Sequence, residues 1–518
     1  MSRDTLTTRF GAVQGRVEGE VFSLYNVPYA RPPLGELRFA EAVAPERWEG
    51  VRDGRRPGLI APQPPSGVGS YVPGDPTLQG EDCLQLNVFS STCPGAGRPV
   101  LVFVHGGAFA TGSGAGVMYD GAALARAGVV VVTVNYRLGA LGFLSHPALA
   151  ATEGRAQGNW ALTDVLAALR FVRGHAELFG GDPHNVTLVG QSSGAMLVAD
   201  LLGAPEAQGL FARAVLESGA VLVDRPERAT ATAEELAALL GLPGVERRAL
   251  LGVATTELLE ASATLSASRG GLLSMPFRPT IEPGVLPIHP LAAIRRGVAA
   301  GKELLIGTTR DEFALFSTEL VDEGLGAARL TALVEQLFAA TAPELEGLAP
   351  TFVQQYAAAR HGGAEAGRAL FDAIATDGVF RLPALRLAEA QSPHGRVFNY
   401  RFDWRSPFLN GNLGACHGIE LPFVFGTLAN PVVAMFSGGG PEAVALAEAV
   451  QGAWARFAAL GDPSGGRAGR WPEYLPDRRT MLLGPSIGIS VAVGEAERRL
   501  WAEHLVDASE REASTARR

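Results

Sequence analysis

Lysine is almost missing from this 518-residue chain: Lys302 is the only one, and arginine supplies the rest of its 44 basic residues. The bias itself carries no chemistry. Set against 53 acidic residues, it leaves a net charge of −9 with no basic cluster, which excludes the electrostatic footprint of a nucleic-acid binder. Cysteine is as scarce. Cys83, Cys93 and Cys416 are too few for a disulfide framework and lack the close pairing of a zinc site, so packing thiols are expected. Hydrophobic residues make up 47% of the chain, yet no apolar run approaches the ~18 to 20 residues that a membrane span needs. The opening stretch Met1-Ser2-Arg3-Asp4-Thr5-Leu6-Thr7-Thr8-Arg9 lacks the apolar core of a secretion signal, and a cytoplasmic location is the expectation.

What is present reads as a large globular chain without internal repeats. Pro99-Val100-Leu101-Val102-Phe103-Val104 and Val129-Val130-Val131-Val132-Thr133-Val134 are short continuous apolar runs, the pattern of strands covered on both faces of a mainly parallel sheet. Between Trp160 and Phe179 the spacing turns helical, with Leu162, Val165, Leu166, Leu169 and Val172 on one side. Further strands are expected at residues 212–216, 303–306 and 397–402. The fold class that follows is a doubly wound α/β domain. Residues 229–274 and 320–377, rich in Ala, Leu and Glu, read as helical insertions over the sheet, and Gly/Pro-rich residues 62–80 as a long loop. One catalytic domain spanning 1–518 is expected.

Gly190-Gln191-Ser192-Ser193-Gly194 is the most informative segment. It joins strand-like Asn185-Val186-Thr187-Leu188-Val189 to helix-forming Ala195-Met196-Leu197-Val198-Ala199-Asp200-Leu201-Leu202, which ends at Gly203. A serine at such a joint is expected in a strained turn, with Gly190 and Gly194 leaving room where a Cβ would clash, and with the helix N-terminus aimed at developing negative charge. The five-residue pattern alone is weak. Gly484-Pro485-Ser486-Ile487-Gly488 fits it too, but continues as strand or loop with only His504 after it. His105-Gly106-Gly107-Ala108-Phe109 leaves the first apolar run as a loop of small residues. With the Ser193 amide, those of Gly107 and Ala108 would form an oxyanion hole, although a Gly-rich turn that merely reverses the chain fits the same residues. Residue reading alone does not choose a base among nine histidines, since His289, His361, His394 and His417 all follow Ser192.

The stretch Phe179-Gly180-Gly181-Asp182-Pro183-His184-Asn185-Val186-Thr187-Leu188-Val189-Gly190-Gln191-Ser192-Ser193-Gly194 resembles throughout the serine signature of the type-B carboxylesterases, the family of para-nitrobenzyl esterases, carboxylesterases and cholinesterases. Glu81-Asp82-Cys83-Leu84-Gln85-Leu86-Asn87-Val88 is similar to its second signature. The resemblance spans nearly the whole chain, from Tyr25-Asn26-Val27-Pro28-Tyr29-Ala30-Arg31-Pro32-Pro33 through Asn135-Tyr136-Arg137-Leu138-Gly139 to Trp471-Pro472 and Thr480-Met481. It implies an α/β-hydrolase fold and two-step acyl transfer from small-molecule esters by a bacterial enzyme, with no metal or organic cofactor. By the same resemblance Ser192 is the nucleophile, Glu312 in Thr308-Thr309-Arg310-Asp311-Glu312-Phe313 the orienting acid with Asp311 as its rival, and His417 in Cys416-His417-Gly418-Ile419-Glu420 the base.

Three departures from the family pattern limit the transfer. Ala61 stands where secreted members pair a cysteine with the one at Cys83, so Cys83 is expected as a free thiol. Residues 62–80 contain no tryptophan, and neutral Gln191 stands where cholinesterases carry a glutamate, which argues against choline esters. The third glycine of the usual oxyanion loop is Ala108. Two other readings stay open: a same-fold hydrolase acting on amides, carbamates or a specialised natural ester, and a non-catalytic cholinesterase-like interaction module. Oligomeric state is not legible.

Overall fold

A computed structural model describes residues 4–65, 78–91, 97–150, 157–269, 275–318, 325–359 and 367–505. Cys93, His361 and most of the expected 62–80 loop lie outside them. Fourteen strands are described: β1 Thr5–Thr7, β2 Ala12–Gln14, β3 Arg16–Glu18, β4 Val21–Pro28, β5 Val51–Asp53, β6 Gln85–Ser90, β7 Arg98–Val104, β8 Val130–Val134, β9 Gly181–Gln191, β10 Arg213–Glu217, β11 Glu303–Thr309, β12 Val397–Phe402, β13 Arg479–Leu483 and β14 Gly488–Val491. Three of them, β1, β2 and β5, form a small sheet. The other eleven form one large sheet in the order β14-β13-β12-β11-β10-β9-β7-β8-β6-β4-β3. Pairing is parallel from β8 through β13 and antiparallel at both flanks.

The parallel strands read as unbroken apolar runs because both sheet faces are covered. Along β7, Val100, Val102 and Val104 enter one core cluster while Leu101 and Phe103 enter the other, as the two-residue period of a strand requires. The first cluster also takes Leu162, Val165, Leu166, Leu169 and Val172 from the helix Trp160–His175. The opposite face is covered by the helix Pro441–Leu460, through Leu446, Val450, Trp454 and Phe457. Lone Lys302 ends up as part of this packing, its Nζ donating to Phe211 O at 2.6 Å and lying over the Phe211 ring.

The expected 229–274 segment contains the helices Pro226–Leu239, Arg247–Leu251 and Thr255–Ser268, and the 320–377 segment contains Ala327–Thr341, Ala349–Ala359 and Gly367–Thr376. What positions the site is strand order. Chain order runs from β7 outward to β8 on one side, then returns to β9 on the other, so the sheet changes direction between β7 and β9. The loops leaving the carboxyl ends of two such strands diverge and open a crevice. One of those loops is residues 105–109; the other is the turn at Ser192.

Candidate active site

Ser192 caps the helix Ser193–Leu202 at φ 56° and ψ −129°, a conformation a residue with a Cβ adopts only when its surroundings force it. Two hydrogen bonds and two close backbone approaches supply that force. The Ser192 N–H donates to Glu217 O of neighbouring β10 at 2.9 Å, and the Ser192 carbonyl accepts from Met196 N at 3.0 Å. A Cβ on Gly194 would lie 2.1 Å from Val104 O, and one on Gly190 2.4 Å from the Gly194 carbonyl carbon, so strand and helix approach as only glycine permits. The side chain is left partly exposed in an otherwise buried stretch.

The loop after β7 is held as tightly. Gly107 has φ 118° and Ala108 φ 53°. The Gly107 carbonyl accepts from both Ala110 N and Thr111 N, at 3.0 and 2.9 Å. Among the described residues the N–H groups of Gly107 and Ala108 donate to no protein acceptor, and Ser193, at the first helical position, has no intrahelical partner for its own. His105 stacks on Tyr136 with ring centroids 4.5 Å apart and faces Gly106 O through Nδ1 at 2.8 Å. Burial lowers its pKa to about 4, which keeps it a neutral packing residue.

Glu312 follows β11 and His417 lies between β12 and the helix Leu421–Phe425, so both come from the same sheet edge as Ser192. His417 Nδ1 meets Glu312 Oε2 at 2.6 Å, and Glu312 Oε1 accepts from Thr309 N at 2.7 Å, both in a buried setting. Asp311 faces away. Its Oδ2 accepts from Ala415 N at 2.8 Å, its own N–H donates to Ala415 O at 2.9 Å, and its carboxylate pairs with Arg310. It therefore clamps the acid loop to the histidine loop without reaching the ring. His417 Nε2 lies 3.2 Å from the Gln191 amide nitrogen, and no hydrogen bond joins it to Ser192 in this structure. Phe316 and Phe380 flank the ring at 5.1 and 4.8 Å.

The rival histidines are engaged elsewhere. His394 faces Arg295 O and His289 accepts from Leu291 N. Ser486 sits exposed in the hairpin between β13 and β14. Cys83 and Cys416 are buried free thiols, both pushed well up by burial. Gln191, Phe316, Phe380 and the clamp by Asp311 are contacts that sequence reading did not assign; adjacency to Ser192 was the one available signal, and for Gln191 alone.

Comparison with known proteins gives this geometry its context. The model of the Carboxylesterase family matches residues 2–490. The chain is 38% identical to the para-nitrobenzyl esterase of Bacillus subtilis (strain 168), over 94% of this chain and 96% of that one. It is 34% identical to the phenmedipham hydrolase of Pseudarthrobacter oxydans, over 95% and 97%. A solved para-nitrobenzyl esterase structure superposes with a TM-score of 0.84 at 36% identity, covering 98% of this chain and all of the other. With a family match that runs nearly end to end, the chain belongs to the carboxylesterase family: it is a serine carboxylic-ester hydrolase on the α/β-hydrolase fold.

Proposed function

We propose that Ser192, His417 and Glu312 carry the ester hydrolysis as nucleophile, base and orienting acid, with the amides of Gly107, Ala108 and Ser193 as the oxyanion hole. The observation that carries this reading is the buried 2.6 Å pairing of His417 Nδ1 with Glu312 Oε2. It leaves Nε2 as the basic nitrogen, on the side of the ring facing the Ser192 turn. Removing the Ser192 proton lets Oγ attack the ester carbonyl, and the oxygen that gains charge is met by the unpaired loop amides. His417 then protonates the departing alcohol, and water repeats the cycle to release the acid. The Nε2–Oγ contact has to form at the expense of Gln191, in keeping with catalytic hydrogen bonds that tighten only with substrate bound.

The substrates proposed are para-nitrophenyl and similar small esters of short to medium acyl chains. Relatives are named for substrates as different as fumonisin B1 and cocaine, so their names select no single natural ester. A single catalytic domain over 1–518, a bacterial cytoplasmic setting and no nucleic-acid partner complete the reading; among the described residues no helix is long and apolar enough to cross a membrane. The test pairs Ser192→Ala with Ser486→Ala. The first is expected to lose at least about 10⁴-fold in kcat with its fold intact, and the second to stay near the parent. Residual activity within about tenfold in Ser192→Ala would remove the assignment. Matched para-nitrophenyl esters and anilides show whether amides are cleaved as well.

A further inference from the structure

On the sheet face covered by the helix Pro441–Leu460, a cleft of about 480 Å³ opens where β3, β4, the loop after β5, the approach to the helix Ala122–Arg126 and the loop after Leu421–Phe425 meet. Ser192, Glu312, His417 and residues 105–109 take no part in lining it. Its floor is apolar and fixed: Tyr119 packs on both Phe103 and Phe425, with ring centroids 4.9 and 5.9 Å away, and Tyr25 stands edge-on to Phe89 at 5.5 Å. Its charges are one-sided. Arg16, Arg55, Arg56 and Arg126 line it against a single acid, Asp120, on a chain whose net charge is −9.

Two of those arginines are already engaged. Arg55 forks onto Asp53, Nε to Oδ1 at 2.8 Å and Nη2 to Oδ2 at 2.9 Å, and Arg16 lies 3.4 Å from Glu18 and over the Tyr25 ring. Arg56 and Arg126 are not: among the described residues neither makes a hydrogen bond or an ion pair. Asp120 is turned to its own segment, Oδ1 accepting from Ala122 N at 2.8 Å. A further donor is left over in the wall. Tyr25 is only 8% exposed, its Oη accepts from Arg16 Nη2 at 3.5 Å, and among the described residues its own proton goes to no acceptor. Burial and nearby Asp120 push that hydroxyl up to about 12, so the proton stays on it. A buried donor without an acceptor costs free energy that a ligand oxygen recovers.

We propose that the cleft binds a small organic carboxylate: Arg56, Arg126 and the Tyr25 hydroxyl hold the carboxylate, and its apolar body lies against the aromatic floor. Guanidinium and hydroxyl donors suit the two oxygens of such a group. The volume falls in the range of roughly 300 to 1,000 Å³ that small-molecule sites occupy. A polyphosphate or a nucleic-acid strand fits less well, because Asp120 stands inside the cleft and, among the described residues lining it, two guanidiniums are open to the several negative charges such a ligand brings. Carboxylates with an apolar body are the class of acid that ester hydrolysis by this chain releases, so the site takes a ligand related to its own product. The assignment stands on the cleft and does not depend on which residues carry the hydrolysis.

The experiment is calorimetric titration with 2-naphthoate and with its neutral counterpart 2-naphthamide, on protein treated with phenylmethylsulfonyl fluoride to block the nucleophile. The naphthoate is expected to bind one to one, and the amide at least about tenfold more weakly. Arg56→Glu and Arg126→Glu, both at exposed positions, should each weaken naphthoate binding by about tenfold, and Tyr25→Phe by about threefold. Equal affinity for acid and amide would overturn the proposal without recourse to any variant. So would unchanged binding in the variants, or displacement of the naphthoate by inorganic pyrophosphate at lower concentration than by benzoate. Loss of naphthoate binding on sulfonylation would place the anion at Ser192 and remove the cleft site. The two readings fail separately: hydrolysis that survives the sulfonyl fluoride counts against Ser192 as nucleophile, whereas an inactivated protein that binds acid and amide alike removes only the anion site.

Discussion

Adjacent acids on one loop face different partners here, and the difference is decided by where each backbone donor points. Glu312 turns one oxygen to Thr309 N and the other to His417 Nδ1, while Asp311 spends its carboxylate on Ala415 N and Arg310. Glu312→Gln removes the charge facing the ring and can present an N–H to Nδ1, which favours the wrong tautomer. A loss of about 10² to 10⁴ in kcat is expected, with KM little changed. Asp311→Asn keeps an oxygen for Ala415 N and loses only part of a half-exposed ion pair, so its kcat should stay within about tenfold while thermal stability drops by up to about 1 kcal/mol. Steady-state kinetics of the two variants decide it. If Asp311→Asn proves the more damaging, the orienting acid has been misassigned. The family resemblance names Glu312 with Asp311 as its rival; residue chemistry alone could not separate two neighbouring carboxylates, which differ here in direction.

At the scale of elements, the parts fixed by local pattern were the legible ones. The apolar runs of β7 and β8, the helix from Trp160, and the strand–turn–helix around Ser192 announce themselves through period and glycine placement, and the structure moves their ends by only a few residues. The antiparallel flank of β3, β4 and β6 carried no such signal. β6 is buried along its whole length, and β4 pairs with it through a register shift between Leu24 and Val27 that breaks alternation. Least visible was the turn Asp377–Arg381, where the helix Gly367–Thr376 widens by one π-type turn before continuing as Leu382–Gln391. Arg381 pairs with Asp377 at 2.6 Å and donates to the carbonyls of Thr309 and Arg310, so this turn is bolted to the acid loop and sets Phe380 against His417. Phe380→Ala should open that wall. The kcat/KM ratio for longer over shorter acyl para-nitrophenyl esters is expected to rise by roughly 10-fold, the value of a methylene or two in an apolar pocket. An unchanged ratio would place the acyl chain elsewhere.

Over the whole molecule, burial of ionisable groups without counter-ions sets how stability depends on pH. Asp200 sits wholly buried on the helix that follows Ser192, near Leu222, and burial pushes its carboxyl well above the usual range; Glu217 and Glu420 move in the same direction, and Asp372 is pushed up to about 6 by burial in spite of its ion pair with Arg368. These acids keep their protons in the folded state and release them near 4 when the chain unfolds, so each removes stability as pH rises from about 4 toward its folded value. His105 and His175 act in the opposite sense. Burial lowers both, His105 to about 4, so their neutral forms cost stability as pH falls below about 6.5. The fold is thereby squeezed from both sides. Asp200→Asn isolates the acid term, because a neutral amide cannot ionise in either state. At about pH 4 it should differ little from the parent, while at about pH 8, where the buried carboxyl burdens the parent's fold, it should unfold higher by about 2 °C or more. Thermal scans at one fixed rate keep the comparison valid even if unfolding is irreversible. A mutant advantage that is the same at both pH values, or larger at the acid one, would mean that Asp200 is ionised in the folded protein and held by donors strong enough to offset its burial.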